Sequence, residues 1–171
     1  LHAKAVADGA ALTHKDLGIV AVVGAIALFA LVVSAMFARE VLAFDQGTPK
    51  MQEISKAVQE GADAYLRRQF TTLAPFAIII FGLLFILPAE TTGARIGRSV
   101  FFLVGAAFSA FVGYAGMTLA TRANVRTAAA AQQSGTKRAT RVAFRSGGMV
   151  GMLTVGLGLL GASVVTLIFK T

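Results

Sequence analysis

Four apolar stretches, none of which contains Asp, Glu, Lys, Arg or His, dominate the pattern of hydrophobic and polar positions along this chain. They run from Leu17 to Ala38, Thr71 to Ala89, Ser99 to Thr121 and Ser146 to Phe169. Because an α-helix rises about 1.5 Å per residue and the hydrocarbon core of a bilayer is roughly 30 Å thick, each stretch can cross that core as a helix. The pattern therefore predicts an all-α membrane protein, in which residues 17–171 form a bundle of four transmembrane helices behind a polar N-terminal tail of residues 1–16.

Two polar segments, residues 39–70 and 122–145, separate the apolar stretches and also carry helical patterns. In the first segment, Thr48 and Pro49 are the residue types of a helix N-cap and of a first helical position. The apolar residues that follow recur at spacings near three and four, namely Met51, Ile54, Val58, Ala62, Tyr65 and Leu66. Such an apolar face fits either a helix that lies on the membrane surface or a cytoplasmic extension of the bundle beyond the lipid. Gly61 favours the extension, because a glycine within a helix is costly unless another backbone comes close.

The second polar segment contains an alanine-rich run from Thr127 to Ala131. Alanine is the strongest helix former, so this run extends the third span into the cytoplasm as a helix. The residues Gln132 to Gly135 end the run.

Small residues cluster on the surfaces of three of the stretches. They are Ala21, Gly24, Ala25 and Ala27 in the first stretch, Gly105, Ser109 and Gly113 in the third, and Thr154, Gly158, Ala162 and Thr166 beside Gly147 and Gly151 in the fourth. Lipid removes the hydrophobic driving force between helices, and small residues then let helix backbones pack closely. We therefore expect these stripes to be the contacts of a multi-helix bundle.

Basic residues are distributed unevenly between the two sides of the predicted membrane. Residues 39–70 hold five Lys and Arg and residues 122–145 hold six, whereas the tail, residues 90–98 and the C-terminal end together hold five. Because basic residues collect in cytoplasmic loops, the first and third loops are predicted to face the cytoplasm and both termini the outside. The same rule accounts for the formal net charge of +8, which therefore does not indicate a nucleic acid partner.

The residue types that carry common chemistry are scarce. The chain has no cysteine, and its two histidines, His2 and His14, both lie in the tail. This composition excludes thiol chemistry and argues against a histidine metal site. Phosphate-loop, dinucleotide, zinc-protease and nucleophile-elbow motifs are all missing from the sequence.

Two small charged groups remain as candidates for binding. Glu53, Glu60 and Asp63 come closest to a cation site, although solvation of a helix surface explains them without any cation and is the favoured interpretation. Arg122 and Arg126 are four residues apart on a predicted helix and could meet a phosphate or an anionic lipid, or could simply follow the cytoplasmic placement of basic residues.

Three segments of the chain resemble the membrane-integral pyrophosphatases. They are EGADAYLRRQ from Glu60 to Gln69, GMTLATRANVRTA from Gly116 to Ala128, and AFRSGG from Ala143 to Gly148. Their order and spacing also resemble the family, and the likeness extends from about Leu17 to the end of the chain.

The resemblance implies a homodimeric pump with sixteen spans per subunit, which hydrolyses magnesium pyrophosphate at a cytoplasmic funnel and moves protons or sodium ions outward. It identifies this chain with the first four spans, mostly in an outer ring, and we expect the membrane to be a bacterial plasma membrane. The Asp-rich and Lys-bearing segments that bind substrate and Mg²⁺ in the family are not present here. No catalytic, cofactor-binding or metal-binding residue is therefore carried over, and the isolated chain is expected to be inactive although its parent is an enzyme. These residues do not decide whether K⁺ is required.

Four polar residues within the matching segments are predicted to have a supporting role. Glu60, Asn124, Arg126 and Thr127 are expected to brace the cytoplasmic ends of the inner helices, because polar side chains beside a membrane need partners.

Two other classes of protein compete with this interpretation. A complete four-span transporter would need a carboxylate within the membrane for proton exchange, and the apolar stretches contain none. A non-catalytic scaffold subunit is opposed only by the family resemblance.

Overall fold

The computed structural model describes residues 14–89 and 91–169, and four long helices make up nearly all of this part. We label them α1 (His14–Leu42), α2 (Pro49–Ile86), α3 (Thr92–Ser134) and α4 (Thr136–Phe169). All four are long and apolar enough to cross a membrane. The predicted all-α fold is therefore confirmed, while most of the predicted polar tail lies outside the described residues.

Helices α2 and α3 are longer than a bilayer requires. They contain 38 and 43 residues, or about 57 and 65 Å at 1.5 Å per residue, whereas a bilayer with its headgroups is about 40–45 Å thick. The predicted segment from Pro49 to Phe70 is continuous with the second apolar stretch, and the helix runs through Pro75 without a break. Both polar segments thus extend the bundle as helices, which confirms the prediction of helical extensions.

Local residue types account for where these helices begin and end. The Thr48 side chain accepts a hydrogen bond from the Met51 amide at 3.3 Å, and Thr91 accepts one from the Ala94 amide at 3.1 Å, as N-cap residues do. Gly135, with a φ of 77°, is the single residue between α3 and α4. At the far end of α2, Arg98 of α3 donates hydrogen bonds to the carbonyl oxygens of Leu84 and Leu87 at 2.5 and 2.9 Å. A basic side chain there compensates carbonyls that a helix C-terminus leaves unpaired.

The helices pack side by side in the order α1, α4, α3, α2. Helix α4 contacts α1 on one side and α3 on the other, and α2 packs only on α3 among the described residues. Because α1 and α2 make no contact with each other in the described part of the chain, the four helices form an open row. The two end helices, α1 and α2, therefore each have a side that no described helix covers.

The core lies where α1, α3 and α4 meet. Its buried members are mostly small and aliphatic: Val41, Leu119, Ala123, Ala130, Ala139, Val142, Met149 and Leu153. One polar contact crosses this region, since the buried Ser34 hydroxyl of α1 donates to the Met149 carbonyl oxygen of α4 at 2.8 Å. Hydrogen bonds of this kind contribute about 0.6 kcal/mol on average between membrane helices.

Glycines on α3 and α4 let the helices come close, but mostly not at the predicted stripes. A Cβ atom at Gly156 would meet Leu31, one at Gly148 would meet Phe37, and one at Gly116 would meet Val150. By contrast, Gly105 and Gly113 of the predicted stripe on α3 are exposed and have open space where a Cβ would lie.

The outcome for the other predicted stripes is similar. On α4, no neighbouring helix of the described part of the chain comes within 4 Å of a Cβ added at Gly147, Gly151 or Gly158. On α1, by contrast, the buried Ala27 and the partly buried Gly24 do face α4. Within the described helices the predicted contacts are therefore present for part of the α1 stripe, whereas these glycines of α3 and α4 have open space beside them, and the partner of their stripes stays a prediction. A small-residue stripe shows that close packing is possible, and it does not identify the partner.

Candidate functional site

One end of the molecule carries both the α1–α2 loop and the α3–α4 turn. We call it the basic end. Eleven Lys and Arg residues and five carboxylates belong to it. The three segments that carry the family resemblance lie on α2, α3 and α4 and reach this end. This end is therefore the candidate site.

An ion pair joins α1 to α4 at the basic end. Arg145 Nη1 lies 2.6 Å from Glu40 Oε2, and both side chains are partly buried. A pair shielded from water interacts more strongly than one on an open surface. Sequence reasoning did not find this pair. The only available signal was that each residue lies within two positions of an apolar stretch.

A hydrogen bond also joins the α1–α2 loop to the end of α3. Gln133 Nε2 of α3 donates to Asp45 Oδ2 at 2.9 Å, and the Gly47 amide donates to Asp45 Oδ1 at 3.1 Å. Both hydrogen bonds hold the pKa of Asp45 below its ordinary value, and the bond from Gln133 has the larger effect. The folded state thus favours the carboxylate form. The resulting contribution to the stability of the fold is present at neutral pH and is lost only as the pH falls through the lowered pKa. The Arg138 guanidinium adds a contact with the Phe44 ring, 5.6 Å from its centroid.

Arg126 is the one buried basic residue among those described. It is only 7% exposed and lies on the α3 face that also buries Leu119, Ala123 and Ala130. Its Nη1 donates to the Arg122 carbonyl oxygen at 2.7 Å, and its Nε finds no hydrogen-bond partner among the described residues. Burial, and secondarily the neighbouring charge of Arg122, lowers the pKa of Arg126. Arginine nevertheless stays charged in proteins, so a positive charge lies inside the row of helices.

The four predicted supporting residues are not brought together. Asn124 is exposed and lines a groove between α2 and α3, while Arg126, two residues on, points to roughly the opposite side of the helix. Thr127 is partly buried, and its hydroxyl donates to the Ala123 carbonyl oxygen of its own helix at 2.9 Å. Glu60 lies exposed on α2. Their bracing role stays a prediction.

An open groove, which we call the α2–α3 groove, lies between α2 and α3 near the basic end. It consists of two adjoining cavities of about 690 and 250 Å³. The larger is lined by Val58, Ala62, Tyr65, Val112, Gly113, Gly116, Met117, Ala120, Thr121, Asn124 and Val150, and the smaller by Met51, Ile54, Ser55, Val58, Thr121, Asn124, Val125 and Ala128. Its walls are almost entirely apolar.

Carboxylates are dispersed at the basic end. Glu40 pairs with Arg145, Asp45 with Gln133, and Glu53 with Lys50 at 2.9 Å. Across residues 14–89 and 91–169, no three His, Cys, Asp or Glu side chains come together as a metal site would require. The predicted alternative of a cation site at Glu53, Glu60 and Asp63 therefore has no support from the described geometry.

Comparison with known proteins gives these features a context. The family of inorganic H⁺ pyrophosphatases matches residues 28–171. The chain is 51% and 52% identical, over 94% of its length, to proteins of Streptomyces coelicolor and Streptomyces avermitilis that are named K(+)-insensitive pyrophosphate-energized proton pumps. A protein of the same name from Chloroflexus aurantiacus is 43% identical over 79% of the chain. The aligned part makes up 20–22% of each of these relatives, so the chain spans about a fifth of their length.

Proposed function

This chain belongs to the inorganic H⁺ pyrophosphatase family, as its three matching segments indicated, and we propose that it forms a non-catalytic supporting part of a pyrophosphate-driven proton pump. It is an integral membrane protein with four apolar helices. In this proposal the chain supplies an N-terminal group of outer-ring helices, and the remaining helices of the same polypeptide and a second subunit complete the pump. The observation that carries the proposal is identity above 50% to proton pumps over nearly the whole chain.

Mg²⁺ is the cofactor that the family resemblance implies, and the residues present do not fit it. Mg²⁺ prefers several oxygen ligands in octahedral geometry. At the basic end, Glu40, Asp45 and Glu53 are each engaged with a different partner on a different element. We therefore place the ligands for magnesium pyrophosphate outside this chain and derive no chemical step within it.

The names of the relatives support a proposal about the ion that is moved and about K⁺. Those relatives are named as proton pumps and as K(+)-insensitive. We infer that the parent of this chain moves protons rather than sodium ions and does not require K⁺.

The basic end faces the cytoplasm in this proposal, because basic residues accumulate on that side of membrane proteins. A Lys137→Cys variant, in the α3–α4 turn, is then expected to react with a membrane-impermeant maleimide only after cells are opened. A Thr92→Cys variant at the start of α3 is the matched control and is expected to react in intact cells. The reverse pattern would contradict the proposed orientation.

The supporting role is tested best in a chimera, in which this chain replaces the matching part of the Streptomyces coelicolor pump. We expect inside-out vesicles that contain the chimera to hydrolyse pyrophosphate in the presence of Mg²⁺ and to acidify their lumen. Vesicles that contain this chain alone are expected to do neither. Phosphate release and the quenching of a pH-sensitive dye measure the two activities.

Two controls make the chimera experiment decisive. The unmodified Streptomyces pump sets the full activity, and the same pump without its matching part should lose both hydrolysis and pumping. A chimera that reaches the membrane without either activity would contradict the proposed function. Hydrolysis by this chain alone would contradict its non-catalytic role.

A further inference from the structure

One wall of the α2–α3 groove is an exposed apolar stripe on α2. Ile54, Val58 and Tyr65 are 57%, 46% and 57% exposed. With Gly61, they follow one another at steps of four, three and four residues, which places all four on one face of the helix. This face therefore has no cover within the described helices.

The position of the stripe along α2 distinguishes it from a surface that faces lipid. Ile54 and Val58 precede Arg68 by 14 and 10 residues, or about 21 and 15 Å at 1.5 Å per residue. Arg67 and Arg68 lie four and three residues before the second apolar stretch, which begins at Thr71, and we therefore place this part of the helix beyond the acyl chains. Exposed apolar side chains at this height would contact water unless another part of the protein covers them.

Gly61 also supports the view that this face of α2 is covered by another part of the protein. Apart from the neighbouring backbone of its own helix, no atom of the described residues lies within 4 Å of the place where its Cβ would be. A glycine within a helix lowers stability relative to alanine, and among the described residues nothing approaches closely enough to require it. Close approach of a further backbone to this stripe would explain why a glycine occupies the position.

The opposite wall has the same character on α3. Gly113, Met117, Ala120, Asn124 and Ala128 follow one another at steps of three and four and form one face of that helix. All but Asn124 are apolar or lack a side chain, and the exposed Asn124 amide provides a hydrogen-bonding group. From Gly113 to Ala128 the wall is about 22 Å long, or about four helical turns. The groove is thus long enough to receive about four turns of a helix.

We propose that the α2–α3 groove receives a helix from the part of the pump that lies outside this chain. The inference rests on the proposed function and specifies which surface of the chain meets the rest of the polypeptide. A lipid does not fit, because the part of the groove that Ile54, Val58 and Ala128 line lies beyond Arg67 and Arg68, on the side away from the second apolar stretch. A second copy of this surface does not fit either, because it would bring together two basic ends, each with eleven basic residues and five carboxylates. The remaining four fifths of the pump supply a covalently linked partner.

The occupant carries an apolar face with small residues opposite Gly61 and a hydrogen-bonding group opposite Asn124. Such complementarity is how helices recognise a groove when their apolar faces pack together.

Cysteine labelling in the chimera tests this inference, in a background without other cysteines. A Val58→Cys variant lies in the groove, and a Lys56→Cys variant on the other side of α2 is its matched control, since both side chains are exposed in this chain. We expect a membrane-impermeant maleimide to label the Val58→Cys variant at least ten times more slowly in the assembled chimera than in this chain alone. The control should be labelled at similar rates in both.

A photo-activated cross-linker attached to the Val58→Cys variant then identifies the occupant. A cross-link to a peptide from the Streptomyces part of the same polypeptide supports the inference. A cross-link between two chimeras, or to lipid, overturns it.

Pyrophosphate hydrolysis by the same samples separates this inference from the function on which it depends. An active chimera whose Val58→Cys variant is labelled as fast as in the isolated chain overturns the groove proposal and leaves the proposed function intact. A chimera that does not hydrolyse pyrophosphate overturns the proposed function and the groove proposal together.

Discussion

Replacement of Gly156 by alanine is expected to lower the free energy of unfolding of this chain by about 1–3 kcal/mol, the usual range for an overpacked interior. The added Cβ would lie 2.7 Å from Leu31 Cδ2 and 3.0 Å from the Ala27 carbonyl oxygen of α1. The Leu31 side chain can rotate away, but a backbone carbonyl cannot, so α1 and α4 must move apart. Since α1 packs chiefly on α4, no other helix compensates for the lost contact. Unfolding in mixed detergent micelles, followed by circular dichroism, measures the change.

The matched control lies two residues further along the same helix. Among the described residues, no neighbouring helix comes within 4 Å of a Cβ added at Gly158. A Gly158→Ala variant is therefore expected to be as stable as the parent chain or slightly more stable, because alanine favours the helix by up to about 1 kcal/mol. Equal losses at both positions would show that the close approach of α1 to Gly156 does not decide the stability.

Gly47→Ala is expected to have an effect of similar or larger size at the basic end. The residue has a φ of 73°, a conformation that costs a residue with a Cβ about 1–2 kcal/mol. The new Cβ would also lie 2.6 Å from Met51 Sδ and 2.9 Å from Ala129 Cβ. The Met51 side chain is flexible, whereas Ala129 is buried on α3 and has no freedom to withdraw. Together these effects should lower the free energy of unfolding by about 2–4 kcal/mol, measured by the same unfolding experiment.

A double-mutant cycle separates the two causes. If Ala129 is also replaced by glycine, the contact with its Cβ is removed while the unfavourable φ at position 47 remains. We expect the Gly47→Ala loss to be smaller in the Ala129→Gly background by the steric part of the effect. An unchanged loss in that background would assign the whole effect to backbone conformation.

The sequence was sufficient to predict the elements of this fold. Helix formation and membrane insertion depend on local properties, namely the length of an apolar stretch and the three-to-four-residue recurrence of apolar side chains. For that reason α2 was expected to continue from Pro49 into the second apolar stretch, and the helix does so. The family could also be recognised from three short segments, and their likeness to proton pumps is confirmed over residues 28–171.

The candidate site was predicted less completely. Glu60, Asn124, Arg126 and Thr127 share sequence segments, but they point to different sides of two helices. The pairing of Glu40 with Arg145 joins residues more than 100 positions apart, and Ser34 and Met149 are separated by a similar distance along the chain. Nothing in the local pattern indicates which residues of distant helices will meet.

The sequence by itself determined the four helices, their length and their membrane character, because these follow from the properties of neighbouring residues. Only the tertiary structure decided the order α1, α4, α3, α2 and which small residues make contacts. Gly156 and Gly158 are nearly alike as sequence features, yet one touches α1 and the other faces open space. The difference arises because a helix turns by about 100° per residue, and the face that becomes buried depends on where the other helices lie.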